Sequence, residues 1–288
     1  MARSGAVIAA VAFVGVTAAA VAWGPSLLDH GTQAPPPRPR CFVTVTDGTY
    51  ELSLEAANNA ALISGVAFQR GYGTAGLTVA LATAIQESGL RNLNYGDRDS
   101  LGLFQQRPSQ GWGTEQEVTD PYIATQRFYA ALEKVDGWEQ MRVTDAAQAV
   151  QRSGFPEAYA DHEGEARAWA RAFTGEGAAT VTCVNPAVQP HPAQVFIERL
   201  AADLGPSYQV DVAATGATEM VLGVRPLDDS DASLQGLQAW AIASASGTGV
   251  TWVDLAGARW HADGSWTSEK LDAPWAAYQG VRVGIATG

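Results

Sequence analysis

Two cysteines, Cys41 and Cys183, stand at the ends of a stretch whose pattern is helical almost throughout, and the 288-residue chain has no others. In an exported chain an isolated even pair most simply forms one disulfide; the other reading is two free buried thiols. A bridge between them closes a long loop and is worth about 4–5 kcal/mol in the chain-entropy description. It also ties the start of one domain to its end.

The reading of the cysteines depends on compartment, and the N-terminus bears on that. Arg3 is followed by an uncharged run from Gly5 to Trp23, rich in Ala and Val. This is close to the roughly 17–25 residues that span a bilayer. A secretory signal has a shorter apolar core and a small-residue cleavage site, for which Ala20-Val21-Ala22 is suited. Residues 1–23 are therefore expected to be an uncleaved membrane anchor or a cleaved signal, with a buried soluble helix as a third reading. Arg3 on the short side agrees with export of the remainder. The globular part is expected outside the cytoplasm, either held at the cell membrane or secreted. Residues 24–40, with Pro35-Pro36-Pro37 and Pro39, form a stiff extended spacer.

The net charge of −12 argues against nucleic acid, which needs clustered Lys and Arg, and against electrostatic docking on an anionic membrane. Four His and two Cys, scattered, give no metal-ligand spacing, and no cofactor is expected. The length suits about two ordinary domains.

Residues 41–185 read as a mainly α domain. Cys41 to about Tyr50 suggests a short strand or extended arm. Helices are expected from Glu55 towards Gly71, from Thr74 to Ser88 with Gly89 as a stop, from Pro121 to Lys134, from Thr144 (a plausible N-cap) to Gln151, and from Pro156 to Phe173. After Asn185-Pro186 the pattern changes. A helix from Pro192 to Leu204 stops at Gly205-Pro206. Strand alternation follows at Tyr208–Val212, Met220–Val224, Thr251–Leu255, Arg259–Ala262 and Val281–Ile285, with a helix at Ser233–Ser244 and a turn at Asp263-Gly264. Residues 186–288 thus read as a small α+β domain, whose Trp240, Trp252, Trp260, Trp266 and Trp275 form either a core or a binding face.

Within the helical domain, Leu77, Ala80, Ala84 and Glu87 share one helix face. That face is apolar until its last member, so Glu87 is directed at the buried side or at a cleft bordering it. A carboxyl in apolar surroundings has its charged form disfavoured and its pKa raised, which keeps a proton available for general-acid work. The alternative is a Glu simply exposed near a helix C-terminus, an electrostatically poor place for an acid.

Glu87-Ser88, followed by Gly102-Leu103-Phe104-Gln105 and Pro108, resembles without a gap the motif of soluble lytic transglycosylases and goose-type lysozymes. The longer run from Gly96-Asp97-Arg98-Asp99 to Trp112-Gly113 is similar to a group of actinobacterial exported or membrane-anchored lysozyme-like proteins, as are Ala146 to Ser153 and Phe155 to Tyr159. The resemblance covers about residues 41–185. It implies a lysozyme-like fold, peptidoglycan glycan strands as the partner and substrate, and Glu87 as the sole catalytic acid/base. It also implies substrate-binding roles for Ser88, Phe104, Gln105, Gln151 and Tyr159. Phe104 replaces the usual methionine. Gln105 matches a glutamine lining the sugar cleft. Gln151 falls near the family's Tyr-Asn-Ala-Gly segment, which is absent here and replaced by Val150-Gln151-Arg152-Ser153. Asp99-Ser100 likewise replaces a Gly-Ala pair. Trp112, Phe155 and Tyr159 are aromatic candidates for sugar stacking or for the core.

Two functional readings follow. One is glycan cleavage of the lytic transglycosylase type, in which a single carboxyl serves as acid and then base. The other is a non-catalytic peptidoglycan-binding or scaffold module on a lysozyme-like fold. A hydrolase would normally use a second carboxylate, about 5–5.5 Å away if retaining or 6.5–9.5 Å if inverting. Asp97 and Asp99 are the nearby candidates, and both also suit a turn.

Overall fold

A computed structural model describes residues 38–216, 218–270 and 277–287. The apolar segment 1–23, the spacer up to residue 37 and Trp275 lie outside the described residues. Among those described, no helix is long and apolar enough to cross a membrane.

The stretch after the spacer is a hairpin rather than a single arm. Strands β1 (Arg40–Val45) and β2 (Gly48–Leu52) run antiparallel, with Val45 opposite Gly48. Strand β3 (Thr180–Val184), which the sequence pattern does not reveal, pairs on the other side of β1 and sets Cys183 opposite Cys41. The two are joined as a disulfide across 142 positions, so the free-thiol reading falls. For a loop of that length the chain-entropy contribution is about 5 kcal/mol.

Helix α1 (Leu54–Gln69) starts at Ser53, whose hydroxyl caps the Ala56 N–H at 3.1 Å. Helix α2 (Thr74–Ser88) has the predicted limits, but its surroundings differ from the expected single apolar face. Every residue from Gly76 to Ala84 is buried. A helix of small and apolar residues without a polar side belongs inside a domain, and α2 packs there against α1, α5 (Val143–Gln151) and α6 (Glu163–Thr174). Between them come the short α3 (Glu115–Val118), begun by a capping box at Thr114, and α4 (Pro121–Leu132), capped by Asp120 with proline in its first turn.

Two expected helix starts shift. The N-cap of α5 is Arg142; Thr144 lies inside the helix and gives its hydroxyl to the Pro156 carbonyl at 2.7 Å. The expected helix from Pro156 begins later: Ala158–His162 forms a 3-10 turn before α6 sets off at Glu163. That turn brings Tyr159 towards the end of α2.

The remainder is α+β, as the alternation predicts. Helix α7 (Ala193–Leu204) leads into β4 (Tyr208–Thr215) and β5 (Glu219–Pro226). Helices α8 (Asp231–Ala243) and α9 (Ala245–Thr248) follow, then β6 (Val250–Leu255), β7 (Ala258–His261), β8 (Trp266–Ser268) and β9 (Val281–Ala286). The six strands form one antiparallel sheet in the order β4-β5-β9-β6-β7-β8. Helix α8 lies between this sheet and α6, and α7 lies against α1, so the described residues make one compact unit. Trp240 and Trp260 belong to the core. Trp252 is half-buried under the Arg259 guanidinium, and Trp266 is partly exposed, bonded to Thr182 at 2.8 Å.

One seam between the two parts runs along α1 and α7. A Cβ on Gly65 would collide with Asp203. The Asp203 carboxylate is fully buried and accepts from Tyr122 Oη at 2.5 Å, Arg199 Nε at 2.7 Å and Trp240 Nε1 at 2.8 Å. One side chain thus joins α4, α7 and α8.

Candidate active site

Helix α2 stops at Gly89, whose left-handed φ of 63° lets its N–H and that of Leu90 close back on Ile85 and Ala84. Glu87 is therefore in the last helical turn. Leu90 is buried, and its carbonyl accepts from Asn59 of α1 at 2.8 Å. The helix end is thus fixed from both sides.

The segment that follows is held in a tight loop. Leu101 and Gln106 exchange backbone hydrogen bonds of 3.0 and 2.9 Å. Gly102, at φ 76°, lies against the Val118 carbonyl, where a Cβ would collide. Ser88 Oγ donates to the Leu103 carbonyl at 2.7 Å and tethers this loop to α2. Asp99 accepts from Arg107 Nε at 2.9 Å and from the Ser109 N–H at 2.7 Å. These bonds, led by Ser109, hold its carboxyl well below the usual range.

Glu87 is half-buried, and burial is the main cause that raises its pKa. Two neutral donors oppose that rise. Tyr159 Oη donates to Glu87 Oε1 at 2.7 Å, and the nearby Gln151 side chain also favours the carboxylate. The Gln151 amide also donates to the Phe104 carbonyl at 2.7 Å, which fixes its orientation. Burial pushes the Tyr159 phenol above its ordinary range, so it stays protonated as a donor.

These groups border a cleft of about 700 Å³, lined by Glu87, Asp97, Gln105, Trp112, Gln151 and Phe155 among others. Its size is within the usual range for small-ligand sites, about 300–1,000 Å³. Phe155 is 78% exposed, an open apolar face at the rim. A smaller groove of about 360 Å³ at Phe68, Pro206 and Leu227 has only the exposed Asp228 as a titratable group.

The structure brings Glu87, Gln105 and Gln151 to one cleft and places Tyr159 behind Glu87. Tyr159 is itself fully buried, so it contacts Glu87 rather than stacking on a ligand. It leaves Ser88 and Phe104 out of the cleft: Ser88 is a buried tether, and Phe104 is completely buried against Phe128, with ring centroids 4.6 Å apart. Direct contact with a ligand is closed to both. The sequence reading missed Lys134 and Arg152, which also line the cleft. Arg152 carried a signal, since it follows the predicted end of α5 where a glycine is usual. Among the described residues, no group of His, Cys, Asp and Glu is placed to hold a metal ion.

No protein family model matches this chain, and no curated protein is similar to it.

Proposed function

We propose that residues 41–185 form a lysozyme-like domain that cleaves peptidoglycan glycan strands in the lytic transglycosylase manner, with Glu87 as the single acid/base. The observation that carries this reading is the setting of Glu87. It is a half-buried carboxyl on a cleft wall, bonded by Tyr159 and flanked by Gln151, with no cation paired to it among the described residues. Burial favours the protonated form needed to give a proton to the glycosidic oxygen as the C–O bond breaks. The two donors then support the carboxylate that remains. That carboxylate takes the proton of the muramoyl C6 hydroxyl as its oxygen closes on C1, giving a 1,6-anhydro end and restoring the acid.

The other carboxylates fit a single-acid scheme. Asp99 is committed to Arg107 and Ser109, and Asp97 is an exposed loop residue with its carboxylate 3.8 Å from Arg98. The exposed ring of Phe155 and the half-buried Trp112 offer apolar surface to sugar faces. The Cys41–Cys183 bridge supports placement outside the cytoplasm, where such bonds persist. Anchoring to the membrane through residues 1–23, or release after signal cleavage, completes this reading.

The test is digestion of purified sacculi by residues 38–288. Wild type releases soluble muropeptides, and Glu87→Gln, whose amide oxygen can still accept from Tyr159, binds sacculi without releasing them. Binding without release by wild type would leave the non-catalytic binding module as the function.

A further inference from the structure

The 3-10 turn Ala158–His162 packs against the end of α2 and is bonded to it twice. A 3-10 helix has three residues per turn, so side chains at i and i+3 lie one above the other. Tyr159 and His162 are such a pair, and they meet consecutive residues of α2. Tyr159 Oη donates to Glu87 Oε1 at 2.7 Å, and His162 Nε2 lies 2.9 Å from Gln86 Oε1. An amide oxygen only accepts, so the ring donates from Nε2.

The two bonds differ in their surroundings. The Tyr159 ring is fully buried, whereas His162 is half-buried and Gln86 is exposed. Packing fixes the Tyr159 ring in its slot but leaves the turn free to rotate about it. A second bond, three residues further along the turn and one residue back along α2, removes that rotation. His162 is also the last residue before Glu163, where α6 begins, so the bond holds the turn at its far end. The near end is held by the Ala158 N–H on the Phe155 carbonyl at 3.2 Å and by Thr144 Oγ1 on the Pro156 carbonyl at 2.7 Å. Burial lowers the His162 pKa against the opposing charge of Asp161, which favours the neutral ring, and His162 is not among the groups that set the Glu87 titration. What His162 can change is where Tyr159 sits relative to Glu87.

We propose that His162, through its bond to Gln86, is a positioning residue that holds the turn so that the Tyr159 hydroxyl stays on the Glu87 carboxyl. This rests on the reading of Glu87 as the acid/base and adds to it how its supporting donor is kept in place. Hydrogen bonds weaken steeply as donor and acceptor fall out of line. Release of the turn at Gln86 therefore tilts or lengthens the phenol's donation, and the Glu87 carboxylate loses support.

Titration of the Glu87 carboxyl by carbon NMR in residues 38–288 tests this, with muropeptide release from sacculi measured alongside. His162→Ala is expected to raise the Glu87 pKa in the same direction as Tyr159→Phe but by less, and to slow release about threefold. Gln86→Ala removes the same bond from an exposed position on α2 and should match it. His162→Gln keeps a donor and should stay near wild type. In a Tyr159→Phe background, His162→Ala should change neither quantity, because the donor it positions is gone. An unmoved Glu87 pKa in His162→Ala or in Gln86→Ala overturns the proposal and leaves the pair a surface contact. A further rise on top of Tyr159→Phe also overturns it, since the effect would then not pass through Tyr159. The expected shifts without any muropeptide release by wild type keep the positioning role and overturn the glycan reading instead.

Discussion

Glu87 and Asp203 are both carboxyl groups near helix C-termini, and each accepts a hydrogen bond from a tyrosine, Tyr159 at 2.7 Å and Tyr122 at 2.5 Å. Their remaining partners separate them. Asp203 also takes Arg199 and the indole of Trp240, and it is closed off from solvent. Arg199 in turn reaches Asn58 on α1 at 3.1 Å, so charge, closure and hydrogen bonds fix α7 to α1, α4 and α8. Glu87 has a neutral amide where Asp203 has a guanidinium, and one side of it meets the cleft. Burial raises both carboxyls, but only at Asp203 does a cation oppose it. An internal cation makes a carboxylate an anchor; neutral donors and an open side leave its proton exchangeable, as an acid/base requires.

This contrast can be broken by substitution, and the largest effect is expected at Glu87. Glu87→Gln should lower the rate of muropeptide release by at least about a hundredfold, the smaller end of what a general acid/base contributes. Asp203→Asn should do the opposite kind of damage. It leaves Arg199 partly buried without its counter-charge, which costs about 3–5 kcal/mol. The melting temperature should fall by about 10 °C, while the rate per folded molecule stays near that of wild type. A Glu87-like loss of rate in Asp203→Asn would remove the distinction.

Tyr159→Phe comes next. It deletes a donor that favours the Glu87 carboxylate, so the Glu87 pKa rises further and the alkaline limb of the pH–rate profile moves to higher pH. The rate should fall about tenfold as the base step loses its support. A lower rate with an unmoved limb would mean that Tyr159 only packs.

The smallest effect is thermal. The folded pKa of Glu87 is raised above its unfolded value, so its contribution to stability is fully present below the unfolded pKa and is lost as pH rises through the folded pKa. Glu87→Gln should therefore melt close to wild type in acid and above it at neutral pH. A Tm difference that does not change with pH would contradict a raised pKa.

The sequence made some of this visible and hid the rest for physical reasons. The limits of α2 were legible because Gly89 is an unambiguous stop, and Glu87 because it ends an apolar helical run. The cysteine pairing was legible from the even number, on the expectation of export. β3 was hidden because Thr180–Val184 is a short edge strand whose only sign is a β-branched run next to a cysteine. Tyr159 takes the core alternative of its two readings, but its bond to Glu87 was hidden: its spacing suits a continuous helix, and only the 3-10 turn at Ala158–His162 aims its hydroxyl at Glu87. Gln151 looked like a poor match to the family segment. Its contact with Glu87 depends on where α5 ends relative to α2, which is a tertiary distance that local pattern does not encode. Ser88 and Phe104 were placed in the cleft by analogy, and packing took them inside.

The most direct test of a lone acid/base at Glu87 is mass spectrometry of the muropeptides that residues 38–288 release from peptidoglycan. The account predicts 1,6-anhydromuramoyl ends from wild type and none from Glu87→Gln. Hydrolysed reducing ends from wild type, or undiminished products from Glu87→Gln, would contradict it.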